Sequence, residues 1–84
     1  MTNKYPGFDI NKLRELAGVF GKAQDELREM MRNIERYHSK QSDEWRESWQ
    51  GEDYGQVAYE LENIEEEVSG INELFDNFLG NFER

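Results

Sequence analysis

Apolar residues spaced alternately by three and four positions run along two stretches of the chain, and a Trp-x-Gly triplet, Trp49-Gln50-Gly51, stands between them. That spacing holds apolar side chains on one stripe of an α-helix and does not fit the two-residue alternation of a strand. The first arm begins near Asp9 or Ile10 and carries Ile10, Leu13, Ala17, Phe20, Gln24, Leu27, Met31, Ile34, His38, Gln41 and Trp45. The second carries Tyr54, Val57, Leu61, Ile64, Val68, Ile71, Phe75, Phe78 and Phe82. Glycine ends helices readily because it takes a left-handed conformation without a Cβ clash. A bulky indole beside it can cover the end of a two-helix core. The expected fold is all-α, an antiparallel two-helix hairpin with a Trp-x-Gly turn. Its single domain spans 9–84, with a helix over about 9–48, a turn at about 49–52 and a helix over about 53–82, behind a flexible N-terminal arm of residues 1–8.

The ends of the elements carry signals of their own. Pro6-Gly7 marks a turn, and Asp9 is placed to cap the first helix. Asp53 followed by Gln56 has the spacing of a capping box for the second. Tyr5 and Phe8 are free either to fold back on a helix or to cover a dimer seam. Gly18 and Gly21 lie off the main stripe and read as tolerated within a long helix.

The apolar stripe is wider than a two-stranded seam requires. Leu16, Ala23, Met30 and Tyr37 add a second row on the first arm, and Ala58, Leu74 and Leu79 widen the other. Two helices share only one interface, so a broad stripe predicts further neighbours, as in a bundle. Eighty-four residues without a cysteine have no disulfide to staple a thin core. Association with a second copy, or with a related small helical protein, would complete a four-helix bundle. The residues expected to form this core and dimer seam are Leu13, Phe20, Leu27, Met31, Ile34, Val57, Leu61, Ile64, Val68, Ile71, Phe75 and Phe78.

Charge narrows the partners. Residues 1–50 hold nine acidic and nine basic side chains, whereas residues 51–84 hold ten acidic ones and a single base, Arg84. So acidic a second arm repels phosphate and anionic lipid, which argues against nucleic acid and membrane surfaces. No apolar run approaches the ~20 residues of a membrane span, and no signal-peptide pattern opens the chain. Arg28, Arg32, Arg36 and Lys40 form a row at four-residue spacing, suited to lie against the acidic arm of the same chain or of a partner.

Candidates for chemistry are few. Glu65-Glu66-Glu67 offers carboxylates, but a carboxylate metal site in a bundle wants Glu-x-x-His pairs, and His38 is the lone histidine. The acidic run therefore reads as a solvated face and His38 as a polar residue near a helix end. No nucleophile, base and orienting group can be assembled around His38, and the scattered glycines form no phosphate loop. Neither catalysis nor a cofactor or metal is expected. Trp45, Trp49 and Tyr54 gather around the reversal. Trp45 reads as a cap on the core end, and Trp49 as either an end cap or an exposed anchor for a receptor pocket.

With Trp49-Gln50-Gly51 set centrally between two heptad arms, and Tyr54 following, the chain resembles the WxG family of small helical proteins exported by type VII (ESX) secretion systems. The resemblance covers about Asp9 to Phe82. It implies helical hairpins paired into four-helix bundles, as a homodimer or a heterodimer, exported folded and without a cleavable signal peptide after a cytoplasmic stage. It implies that Trp49 and Gly51 act in the export signal as well as in the turn. The implied partners are the secretion ATPase and, for some members, a larger toxin with a helical N-terminal domain. The implied setting is virulence or interbacterial competition. One feature departs: the family's Tyr-x-x-x-Asp or Tyr-x-x-x-Glu tail is absent, since Tyr59 is followed four positions later by Asn63 and no tyrosine comes after it. Truncation, a tail supplied by a partner, or a companion role would each account for that. A cytoplasmic helical adaptor or chaperone is the rival expectation.

Overall fold

The computed structural model describes residues 5–82, and the expectations for residues 1–4 and 83–84 lie outside them. The described chain is all-helical, with α1 over Ile10–Ser39, α2 over Asp43–Glu47 and α3 over Trp49–Phe82. Asp9 caps α1, its Oδ1 accepting from the Lys12 backbone N–H at 3.1 Å. Before it, Gly7 takes φ 90° and turns the chain so that Tyr5 and Phe8 reach the far end of α3. There the rings of Phe8 and Phe82 lie 5.4 Å apart, and those of Tyr5 and Phe82 6.1 Å.

The first arm ends at Ser39, nine residues short of the expected boundary. Its last carbonyls are taken up locally. Lys40 N–H donates to Tyr37 O, the Ser39 hydroxyl to Arg36 O, Gln41 Nε2 to Tyr37 O, and Arg46 Nη1 to Ser39 O. Ser42 then caps α2, its Oγ accepting from Trp45 N–H at 3.2 Å. A serine that can satisfy the orphan donors of a new helix competes with continuation of the old one. The 3–4 spacing runs on through Gln41 and Trp45, but Trp45 keeps its seam contact from a separate helix.

α1 and α3 lie antiparallel, paired by Phe20 with Phe75 at a centroid distance of 5.5 Å and by Tyr37 with Tyr54 at 5.1 Å. On α1 the half-buried positions follow the expected stripe from Ile10 to His38, with Gly21 and Ala23 beside it, and Gln41 beyond the helix is half-buried as well. On α3 they are Tyr54, Ala58, Leu61, Glu65, Val68, Asn72, Phe75, Leu79 and Phe82, with Ile71 and Ser69 beside them. Val57, Ile64 and Phe78, expected in the seam, are about half exposed at 51, 49 and 48%. Relative to that expectation the seam is rotated by one residue at each of these points.

Rotation brings Glu65 inside, correcting its assignment to a solvated face. Its side chain is 14% exposed, and its Oε1 accepts from Gln24 Nε2 and Arg28 Nε, each at 2.9 Å. Asn72 Nδ2 extends the network, donating to Gln24 Oε1 at 2.7 Å and to Phe20 O at 3.3 Å. Arg28 alone of the basic row is ion-paired with α3 among the described residues.

The hairpin has two unlike sides. The residues directly following seam positions Ile34, Tyr54 and Leu61, namely Glu35, Gly55 and Glu62, line one groove together. The residues directly preceding seam positions therefore share the opposite side. At seven-residue steps they form an apolar row, Leu16, Ala23, Met30 and Tyr37 on α1 and Val57, Ile64, Ile71 and Phe78 on α3, while those farther from the seam include Val19 and Leu74 but also Glu26, Asn33, Glu60 and Glu67. Among the described residues only Gly51 is buried; no apolar side chain is. The molecule measures 65 × 19 × 15 Å, with a radius of gyration of 19.0 Å against ~12 Å for a compact chain of this length. Its accessible surface is 6858 Å², against ~5,200 Å² for a compact protein of its mass.

The Glu65 network makes stability depend on pH. Hydrogen bonds from Gln24 and then Arg28, with the Arg28 charge, hold its carboxyl below the ordinary value of 4.5 against the opposing effect of desolvation. A depressed carboxyl stabilises the fold above its unfolded pKa, and that contribution disappears as pH falls through the folded value. Wild type is expected to exceed Glu65→Gln in urea stability near pH 7, with the gap closing below 4.5. A gap that stays constant down to about pH 3 would show that the ionised pairing contributes nothing.

Candidate interaction site at the helical junction

Ser48 separates α2 from α3 in an extended conformation, φ −75° and ψ 166°. Its hydroxyl oxygen accepts from Gly51 N–H at 3.3 Å while its carbonyl accepts from Glu52 N–H at 3.0 Å, so Ser48 caps α3. The same hydroxyl donates to Trp45 O, tying the cap back to α2. The chain therefore reverses over residues 40–48 rather than at Trp49-Gln50-Gly51. Asp53, expected to start a capping box, is the fifth residue of α3.

Gly51 sits in the first turn of α3 with no positive φ, so left-handed freedom is not its role. Proximity is. A Cβ at this position would lie 2.4 Å from Trp45 O and 2.5 Å from Arg46 O, separations that bonded geometry elsewhere cannot relieve without moving backbone. The bare α-carbon lets α3 leave directly against the carbonyl end of α2.

The aromatic residues at the junction divide into two groups. Trp45 packs edge-on to Tyr37, His38 and Tyr54 at centroid distances of 5.8, 5.7 and 5.7 Å, closing the end of the seam. Trp49 takes no part in that cluster and is 68% exposed. Its row on α3, at seven-residue steps, continues through Gln56, Asn63, Gly70 and Asn77, the row farthest from the seam. The end-cap reading of Trp49 is thereby replaced by an indole presented to solvent on the first turn of a long helix.

Of the other residues singled out from the sequence, Leu13, Phe20, Leu27, Met31, Ile34, Leu61, Val68, Ile71 and Phe75 are half-buried between α1 and α3. Val57, Ile64 and Phe78 face outward. Ser42 and Ser48, which set the junction, were not singled out from the sequence. Their signal is a serine three residues before the N–H it caps, with Asp43 and Glu44 in the following turn for Ser42.

No group of three or more His, Cys, Asp or Glu is placed to hold a metal ion among the described residues, and no described helix is long and apolar enough to cross a membrane. What the junction offers chemically is contact: an exposed indole, within one turn of the close backbone crossing at Gly51, on the same helical turn as Glu52 and Asp53.

The Gly51 contact reverses the usual effect of substituting a helical glycine. Gly70→Ala, where a Cβ meets nothing within 4 Å, is expected to stabilise the chain by about 1 kcal/mol through helix propensity. Gly51→Ala is expected to destabilise it by roughly 1–3 kcal/mol despite the same propensity gain. Urea titrations of the two variants measure the signs, and stabilisation by Gly51→Ala would mean that α2 does not pack against α3 as described. Comparison with protein-family models, with curated proteins and with solved structures gives no match to the chain.

Proposed function

We propose that the chain works without catalysis, as a dimer, in the role of a substrate or export partner of a type VII secretion system. The observation that carries this reading is Trp49. An indole exposed to 68%, held on the outermost row of a long helix, has no packing role to explain it and the form of an anchor for a receptor pocket. Its setting in Trp49-Gln50-Gly51 between two helical arms is the feature on which the resemblance to the WxG family rests.

Dimerisation is supported by the apolar side of the hairpin. Val57, Ile64, Leu16 and Met30 stand there exposed, Phe78 remains about half exposed beneath the edge-on ring of Phe8, and Leu74 beside them is 70% exposed. The ~1,600 Å² by which the accessible surface exceeds that of a compact chain is ample for a standard interface, which takes ~800 Å² from each partner. A second hairpin laid on this side gives a four-helix bundle and leaves the row of Trp49 uncovered. The partner is a second copy or a related hairpin, and a larger toxin with a helical N-terminal domain fits the same surface. In this reading the protein is cytoplasmic before export and secreted without a cleavable signal.

The test combines association with export. Sedimentation is expected to give twice the 10.0 kDa chain mass for wild type and a smaller species for Ile64→Glu combined with Phe78→Glu. Trp49→Ala, at an exposed position, is expected to change unfolding stability by less than about 0.5 kcal/mol and leave the dimer intact. In the source bacterium wild type should reach the medium only when the type VII ATPase is present, while the Trp49→Ala dimer stays inside. Equal secretion of the two would sink the recognition role of Trp49. Retention of both in an active strain, even beside a co-expressed tailed partner, would favour a cytoplasmic helical adaptor instead.

A further inference from the structure

The side of the hairpin opposite the apolar one carries its own groove, of about 390 Å³, near the junction. Ile34 and Ala58 form its apolar base, Tyr54 and Tyr59 add aromatic surface, and Glu35 and Glu62 stand one on each helix. Gly55 lowers the wall on the α3 side, where a Cβ would meet nothing within 4 Å. We propose that this groove binds a basic helical segment of another protein, seating an aliphatic side chain over Ile34 and Ala58 and an arginine or lysine between Glu35 and Glu62.

The occupant follows from shape and charge. Both walls are helices whose backbone groups are used internally, so an extended peptide has no edge to pair with, whereas a third helix can lie in the furrow between two. Carboxylates from both walls repel phosphate, which removes nucleic acid and anionic lipid. They attract a cation, and tyrosine faces add a further attraction for a guanidinium or ammonium group. Glu66 extends the acidic edge one turn beyond Glu62. Two arginines on this side of α1 lie within two turns of the groove. Arg28 is paired to Glu65, and Arg32 stands three residues before Glu35 and is outnumbered by Glu35, Glu62 and Glu66. Because the groove faces away from Val57, Ile64 and Phe78, it stays open whether the chain is a monomer or pairs through them, and the inference does not rest on export.

The test uses the purified full chain and an alanine-based helical peptide of about 18 residues bearing two leucines four apart and flanking arginines. A second peptide has glutamates in place of the arginines. Titration into ¹⁵N-labelled protein is expected to shift the amides of Ile34, Gly55, Tyr59 and Glu62 and to leave those of Leu74 and Phe78 unmoved. Gly55→Leu fills the groove from a position with free space and gains helix propensity, so it keeps the fold. It should weaken the arginine peptide by at least about tenfold, and Glu35→Gln with Glu62→Gln by about fivefold. Equal binding of the two peptides, a footprint on the apolar side, or wild-type affinity in Gly55→Leu would each overturn the proposal. A changed sedimentation mass for Gly55→Leu would also overturn it, by assigning the groove to a second copy of this chain.

Discussion

The absence of one carbon atom at position 51 governs how the two long helices meet. α2 ends with the carbonyls of Trp45 and Arg46 pointing into the first turn of α3, and only a residue without a Cβ fits between them. Ser48 works from the same place, capping α3 through its oxygen and holding Trp45 O through its hydroxyl. Together they fix the direction in which α3 leaves the junction. Over a helix of 34 residues a small change in that direction becomes a large displacement at the far end, where Phe8 meets Phe78 and Phe82. The junction therefore sets the register of the whole seam and, through it, the direction in which Trp49 faces.

A seam set in this way is polar at its middle. Gln24, Glu65 and Asn72 interlock where an aliphatic layer would otherwise sit, with Arg28 reaching in from the side. Such a network contributes little net stability, because each ion or amide loses water to join it, but a slip of the helices leaves its members unpaired. Aliphatic layers tolerate sliding far better. Polar residues at the centre and aromatic contacts at both ends thus hold one alignment of α1 on α3, while no apolar side chain among the described residues is fully buried within the hairpin.

How far the sequence reveals this differs between the two arms. On α1 the spacing from Ile10 to His38 identifies the inward stripe although the apolar row Leu16, Ala23, Met30 and Tyr37 runs next to it, because Leu13, Phe20, Leu27 and Ile34 anchor that stripe at every second step. On α3 two rows run side by side: Val57, Ile64, Ile71 and Phe78, and one residue later Ala58, Glu65, Asn72 and Leu79. Hydrophobicity favours the first, and the structure turns the second inward. Hydrogen bonds to Gln24 and Arg28 satisfy the polar members of the inner row, and Val57, Ile64 and Phe78 of the more apolar row stay about half exposed. The junction was obscured for another reason. Periodicity continues through Gln41 and Trp45 without registering that Ser42 and Ser48 start new helices, and the sequence signal at Gly51 does not separate a left-handed cap from a close crossing. Only the contacts of the missing Cβ distinguish them.

Once the register is fixed, three surfaces follow that do not overlap. The apolar row of Leu16, Met30, Val57 and Ile64 faces one way, the carboxylate-edged groove faces the other, and Trp49 lies on the row remote from both. A two-helix protein has no interior large enough to bury a site, so its specificity must be written on its outside. Separation of the rows by helical phase means that a contact on any one of these surfaces would not use the side chains of the other two. The short helix α2 is what permits this division. By taking Trp45 out of α1 and folding it over the seam end, it closes that end with one tryptophan and leaves the other free.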